Sequence, residues 1–341
     1  MSKAKDVLVF PTAKTPDFKM INVGRKRPTR RRAVACGTIR MSREAFESVR
    51  DGSLPKGNVL ALAEAAGITG AKKTPDIIPM CHTLPLDQVT VHSVLDEQEN
   101  SVTVYVQAVA FAKTGVEMEA LTGANAALLT IWDLTKGVDP DLSIEGIRLL
   151  VKTGGKSGIW TNPLGIPDWL EAQLPDKQPL KGQKVALLVM SDRASKGEYE
   201  DQSGPLLKRK LEHMGAELVS HRLVPDEKEE ISQSIREICD QYSPALLIAS
   251  GGTGPGPRDV TPEVLAGISE RMLDGLGDVL RAESLHHTDT AWLSRMTAGM
   301  VGATLVIAFP GSPKAVEECW DIIEPFIGDA LHKIKKQGYG G

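Results

Sequence analysis

The sequence predicts two domains of different class: an α+β domain with helices on one face of an antiparallel sheet, then an α/β domain wound on both faces of a parallel sheet. Three observations predict this. Up to about residue 158, strand-like and helix-like patterns are mixed without a regular βαβ repeat. Beyond about residue 183, short apolar runs alternate with helical stretches, the signature of strands buried on both faces. Between the two, Asn162-Pro163, Ile166-Pro167, Leu174-Pro175 and Gln178-Pro179 put prolines at a density that forbids a continuous helix or central strand. The domains are expected at 1–158 and 184–341, with a Pro-rich linker at 159–183 that a short helical piece from Asp168 to Gln173 interrupts.

The elements follow in order. Ala33 to Met41, Gln88 to Leu95 and Val102 to Phe111 read as half-buried strands, the last with Val102, Val104 and Val106 alternating with polar residues. Ser42 to Asp51 and Asn58 to Gly70 have helical character and end near glycine. Thr114 to Lys136 is a longer helical pattern, and Ile144 to Lys152 a last strand. In the second half, Val185 to Met190, Leu218 to Val224, Ala245 to Ser250 and Thr304 to Phe309 are the strand runs. Pro205 to Met214, Lys228 to Gln241 and Pro262 to Gly267 are the helical stretches between them.

Composition narrows the class of protein. A chain of 341 residues has room for two ordinary cores, and 41% hydrophobic with 25% charged residues is the balance of a soluble globular protein. Aromatics make up only 4%, so Val, Ile, Leu and Ala must build those cores. No apolar run approaches the roughly 20 residues of a membrane span, and Met1 to Lys5 carries charges without the apolar core of a leader. Cys36, Cys81, Cys239 and Cys319 are far apart and form no CxxC pair. They are expected as reduced thiols of a cytoplasmic protein, with no structural zinc. The net charge is −4, yet Arg25 to Arg32 is a basic run. It lacks interleaved aromatics, so phosphates of a small substrate are the expected partner rather than nucleic acid.

Ionisable groups beside apolar surface must pair or bind something. Glu117 and Glu119, followed by Asp133 and Lys136, lie along one Ala- and Leu-rich helical segment. They line a polar site or form a solvated face, and the residues alone leave both readings open. On an unbroken helix Glu119 and Asp133 fall within about 40° of each other but about 21 Å apart along the axis. That is too far for one small substrate, so a site shared across a subunit interface is expected. Lys56 follows a turn and stands where a helix start could help it meet a phosphate. Met80-Cys81-His82 sits beside Pro79, with no partner at metal-ligand spacing.

Five segments carry a resemblance: Lys56-Gly57, Lys72 to His82, Gly115 to Thr122, Asp133 to Lys136 and Leu149 to Gly158. Over about residues 20–158 they resemble the cyclic pyranopterin monophosphate synthases. The resemblance implies a ferredoxin-like α+β fold, a hexamer built from dimers with interface sites, and no cofactor. It also implies conversion of a cyclised dihydro-GTP derivative to cyclic pyranopterin monophosphate with loss of pyrophosphate. Carried over, it makes Asp133, Lys136 and Lys56 catalytic, and Arg31, Met80, Cys81, His82, Glu117, Met118 and Glu119 substrate-binding. The residue types suit that chemistry. Arg31, Lys56 and Lys136 can meet a triphosphate, and Asp133 with Lys136 can move protons. Asn22 stands where the family usually has an acid, and Thr83 where it has proline.

In the second half, Ser250-Gly251-Gly252-Thr253-Gly254-Pro255-Gly256-Pro257-Arg258-Asp259 follows a strand pattern. Such a turn lets backbone amides approach a phosphate at the carboxyl edge of a sheet, although its spacing is neither the P-loop nor the Rossmann fingerprint. Asp259 precedes a Pro-started helix, a position suited to Mg²⁺ on nucleotide phosphates or to the helix dipole. With Ser191 to Ser195, Asp201 to Pro205, Val224 to Glu227, Leu293 to Arg295 and Phe309 to Lys314, it resembles the molybdopterin adenylyltransferases and the related MoaB proteins over about 183–335. That resemblance implies Mg²⁺-dependent transfer of AMP from ATP to molybdopterin, and trimer contacts. Asp226 and Asp259 would serve catalysis and metal, and Ser203, Gly251, Gly252, Thr253, Gly254, Ser294 and Lys314 phosphate or pterin binding. A pterin-binding or assembly module without adenylyl transfer is the other reading.

Overall fold

The structure is a computed structural model that describes residues 18–155 and 158–336. Met1–Lys5 and the Lys156-Ser157 part of the closing motif lie outside the described residues. The chain divides into two units, Met1–Gln173 and Leu174–Gly341. No described helix is long and apolar enough to cross a membrane.

The first unit runs β1 (Thr29–Arg40), α1 (Arg43–Asp51), α2 (Val59–Lys72), α3 (Thr74–Ile77), β2 (Gln88–Asp96), β3 (Ser101–Ala112), α4 (Glu117–Thr135), β4 (Ser143–Thr153), β5 (Ile159–Thr161) and α5 (Asp168–Glu171). Its five-stranded sheet has the order β2-β3-β1-β4-β5, and every pair is antiparallel. The helix boundaries follow from capping. Ser42 accepts the Ala45 amide ahead of α1, and Asn58 accepts the Ala61 amide ahead of α2. Gly52, at φ 67°, closes α1 in the left-handed conformation that glycine adopts without strain.

Helix α4 buries Ala120, Ala124, Ala127, Leu128 and Ile131, which recur at helical spacing, against the Ala and Val residues of β1 and β3. It also lies unusually close to α2. A Cβ on Gly123 would stand 2.9 Å from the Gly67 carbonyl oxygen, and one on Gly70 would stand 2.5 Å from the Ala126 Cβ. Small residues on both helices make that approach possible, and it fixes the height at which the polar ends of α4 emerge.

The segment expected as a linker is partly built into this unit. Ile159–Thr161 pairs with β4, and the Asn162 side chain donates to the Leu149 carbonyl at 2.7 Å, so Pro163 falls just past a strand end. Trp169 meets Tyr105 edge-on at 5.3 Å, and Arg32 donates to the Gln173 carbonyl at 3.4 Å. The prolines punctuate this stretch without detaching it. They supply turns that let strand and helix fold back on the sheet.

The second unit runs β6 (Lys184–Met190), α6 (Asp192–Ser195), α7 (Ser203–His213), β7 (Glu217–Val224), α8 (Lys228–Tyr242), β8 (Leu246–Ser250), α9 (Thr261–Ile268), β9 (Arg271–Met272), α10 (Asp274–Ser284), β10 (Thr297–Val301), β11 (Thr304–Phe309), α11 (Pro313–Ile323) and α12 (Ile327–Ile334). Strands β7-β6-β8-β11 are parallel neighbours, and each face of the sheet carries its own core. Alternate residues of β6 serve the two: Val185 and Leu187 on one side, Ala186, Leu188 and Met190 on the other. The doubly wound expectation needs one correction, because the sheet is mixed. Strand β10 runs antiparallel to both β11 and β9. Only two residues, Gly302 and Ala303, join β10 to β11, and so short a connection can only make a hairpin.

Candidate active sites

In the first unit the expected residues gather at the two ends of α4. At the carboxyl end, Asp133 holds two lysines. Its Oδ1 lies 2.7 Å from Lys136 Nζ and its Oδ2 3.3 Å from Lys56 Nζ, which also donates to the Asp133 carbonyl at 3.2 Å. Lys136 is in place because its backbone caps α4, and Lys56 because the turn before Asn58 swings it toward that end. The hydrogen bond from Lys136, then that from Lys56, holds the Asp133 carboxyl below its ordinary range. All three side chains are open to solvent.

At the amino end, Glu119 is buried, and desolvation pushes its carboxyl upward against a backbone hydrogen bond, with Glu117 adding repulsion. The Cys81 thiol is raised by burial first and by Glu119 second. Glu117 pairs with Lys152 at 3.1 Å. Half-buried Arg31 donates to the Ala112 carbonyl at 3.3 Å; burial lowers its guanidinium while Glu117 counters that. His82 Nε2 donates to the Ile21 carbonyl at 2.9 Å, which places the ring proton on Nε2. Met80 and Met118 are exposed beside these groups in sequence. Asn22 Oδ1 accepts the Gly24 amide at 2.8 Å, a local turn in the position where the resemblance leads one to expect an acid.

One chain therefore forms two separate clusters, one at each end of α4. Glu119 and Asp133 are fourteen helical steps apart on α4, about 21 Å. Nothing in the sequence near Glu117 announces Lys152, which lies on β4 and arrives only through sheet pairing.

In the second unit the site lies where sheet topology makes a crevice. From β6 the neighbours β7 and β8 lie on opposite sides, so loops leaving the carboxyl ends of β6 and β8 diverge. A cavity of about 590 Å³ sits there, lined by Ser203, Gly251 to Gly254, Asp226, Asp259 and Ser294 among others. Thr261 donates to the Gly251 carbonyl at 2.9 Å. Arg295 fastens the far side of the glycine turn, its amide donating to the Thr253 carbonyl at 2.7 Å and its Nε to the Gly254 carbonyl at 2.9 Å. Ser203 Oγ donates to the Gly311 carbonyl at 2.8 Å, and the Thr253 and Ser294 hydroxyls lie 3.3 Å apart.

Asp192 and Asp226 form a reciprocal pair, each carboxylate accepting the other's amide at 3.0 and 3.1 Å. Arg258 bridges Asp192 and Glu227 at 2.7 and 2.8 Å. Burial pushes the Asp226 carboxyl up, with the backbone bond from Asp192 opposing and the charges of Asp192 and Asp259 adding to the rise. Asp259 Oδ2 accepts the Gly256 amide at 2.9 Å. Two carboxylates that repel each other beside a glycine turn suit a divalent cation whose other ligands are water and phosphate. Among the described residues no group of three or more His, Cys, Asp or Glu side chains could hold a metal without such help. Lys314 is the expected residue that stands apart: it is highly exposed, does not line the cavity, and reaches Glu318 at 3.7 Å. Arg295 lies in a segment that carries the resemblance, yet neither its role nor that of Thr261 is legible in the sequence, because both brace backbone carbonyls that only the fold brings near.

Fold and sites together define a two-domain protein with an acid–lysine site on an antiparallel-sheet domain and a glycine-turn cavity on a mixed α/β domain. Residues 20–155 match the MoaC family, and residues 186–329 match the family described as probable molybdopterin binding domain. A molybdenum cofactor biosynthesis bifunctional protein of Synechococcus elongatus is 39% identical over 94% of this chain and 99% of its own length. A cyclic pyranopterin monophosphate synthase of Heliobacterium modesticaldum is 49% identical over 41% of this chain and 88% of its own. The crystal structure of the molybdopterin biosynthesis enzyme MoaB from Thermus thermophilus is 34% identical, with 45% of this chain and 97% of that one covered at a TM-score of 0.43. The chain belongs to the molybdenum cofactor biosynthesis bifunctional proteins.

Proposed function

We propose that the first unit converts a cyclised dihydro-GTP derivative to cyclic pyranopterin monophosphate and pyrophosphate. The observation that carries this is the Lys56–Asp133–Lys136 cluster, with both ammonium groups on one carboxylate. Asp133, held ionised, orients the two lysines, and proton transfer falls to the lysines. The free hydrogens of the ammonium groups face the triphosphate. Buried Glu119, with Cys81 and His82, receives the ring portion, and Arg31 and Lys152 answer its remaining negative charge. The β-α-β-β-α-β order of the sheet supports the ferredoxin-like reading of this unit. Because the half-sites lie about 21 Å apart in one chain, a complete site takes the amino end of one subunit's α4 and the carboxyl end of another's. Turnover of Asp133→Ala and Lys56→Ala full-length protein with the cyclised intermediate tests this. Loss of product by both is expected, and product formation at the wild-type rate by both overturns the assignment.

For the second unit we propose binding of molybdopterin and its adenylylation by ATP. The acidic pair beside the glycine turn supports this reading. Asp226 and Asp259 would hold Mg²⁺ together with phosphate oxygens, and the ion would offset charge on the transferring phosphoryl group. The backbone amides of Gly252, Thr253 and Gly254 approach the phosphates, Gly251 shapes the turn with its own amide on the Phe309 carbonyl, and Ser203 and Ser294 contact the pterin. The match to a probable molybdopterin binding domain favours a narrower reading, pterin binding alone. Incubation with molybdopterin, ATP and Mg²⁺ separates the two, since absence of an adenylylated product leaves only binding.

A further inference from the structure

The lining of the second unit's cavity is chemically mixed. Asp226, Asp259, Arg258 and the glycine turn contribute charged side chains and backbone to it. Ala194, Tyr199 and Leu293 contribute apolar surface. Tyr199 is the one aromatic side chain among the described residues lining the cavity, and it is 44% exposed. It is also held. The Arg193 guanidinium lies over its ring, 5.3 Å from the centroid, within the range of a cation–π contact, while Arg193 itself does not line the cavity. Two residues further on, the Asp201 Oδ1 accepts the amides of Ser203 and Gly204 at 2.9 and 3.0 Å, which anchors the segment carrying Tyr199 to the start of α7.

We propose that Tyr199 is the stacking platform for the planar nitrogen heterocycle of the ligand, and that Arg193 fixes its ring from the side away from the cavity. The inference rests on the reading that this unit binds a pterin or a nucleotide. A phosphate chain needs only charged groups and backbone donors, whereas a fused heteroaromatic ring gains from a flat aromatic partner. Purine and pterin share that chemistry, and binding measurements distinguish them.

The test is equilibrium titration of the full-length protein in Mg²⁺ with three probes: ATP, neopterin monophosphate and inorganic tripolyphosphate. Wild type, Tyr199→Ala and Tyr199→Phe are compared. Tyr199→Ala is expected to weaken at least one ring-bearing probe about tenfold, or about 1.4 kcal/mol. Tripolyphosphate should bind as it does to wild type, and Tyr199→Phe should restore ring binding. Loss with ATP alone assigns the platform to purine, loss with the pterin alone to pterin, and loss with both to a shared surface. The proposal is overturned if Tyr199→Ala binds both ring probes like wild type, or loses tripolyphosphate equally. Failure of Tyr199→Phe to restore binding, or absence of ring binding in wild type, overturns it too. Adenylyl transfer is followed in parallel: a wild type that transfers no AMP but binds rings through Tyr199 removes the catalytic reading and leaves this one standing.

Discussion

Gly251 is where three strand ends of the second unit meet, and replacing it with alanine should unfold that junction. The residue follows β8, its amide donates to the Phe309 carbonyl of β11 at 3.0 Å, and its φ is +124°. An added Cβ would stand 2.3 Å from the Met190 carbonyl oxygen of β6, a backbone atom that cannot turn aside. A side chain at that φ costs about 1–3 kcal/mol, and forcing a methyl into packed backbone costs about 1–3 kcal/mol more. Gly251→Ala should therefore lose roughly 2–6 kcal/mol, which at about 2–4 °C per kcal/mol for a unit of this size lowers its melting transition by upwards of about 4 °C. Gly254→Ala is the control. Its backbone is not left-handed, and the atoms nearest its added Cβ all belong to the Asp259 carboxyl, Oδ2 at 2.6 Å and Cγ at 3.1 Å, the far end of a side chain that can swing. That variant should melt within about 1 kcal/mol of wild type, yet bind ATP with Mg²⁺ more weakly because Asp259 is displaced. Calorimetric unfolding of the full chain, with ATP titration, reads both quantities. An unchanged transition in Gly251→Ala, or an equal loss in Gly254→Ala, would refute the reasoning.

Two further outcomes are expected in the first unit. Burial raises the Glu119 carboxyl, so the folded state holds that proton more tightly than the unfolded chain. Its stabilising effect is then complete below the unfolded value and fades as pH rises through the folded one. Glu119→Gln, which mimics the protonated acid, should melt like wild type near the acid end and above it at pH 8; a gap that shrinks from pH 5 to pH 8 contradicts the sign. Trp169→Ala removes the edge-on partner of Tyr105 and should cost the first unit about 1 kcal/mol, seen in denaturant unfolding. No change in midpoint would mean that the 159–173 segment does not hold the sheet.

Local chemistry carried much of the fold and the choice of site residues. Alternation along Val102 to Val106, the caps Ser42 and Asn58, and the Ala-rich face of the long helix each act within a few residues, so the sequence alone places β3, α1, α2 and α4. The glycine run after β8 is legible for the same reason, since the φ of +124° at Gly251 is one that glycine alone adopts without strain. What the sequence could not state is who meets whom. The short hairpin that makes the second sheet mixed depends on β10, whose Gly299 hides a strand because it packs against Ser269. The 159–173 prolines read as a linker until β5 pairing and the Trp169–Tyr105 contact attach that stretch to the sheet. Lys152 reaches Glu117, and Lys56 reaches Asp133, across 35 and 77 residues. Helix periodicity, capping and glycine backbones are properties of neighbouring residues, and the sequence determined them. Charge pairing, burial and the lining of the cavity depend on distances through space, and those were decided only when the sheets brought the segments together.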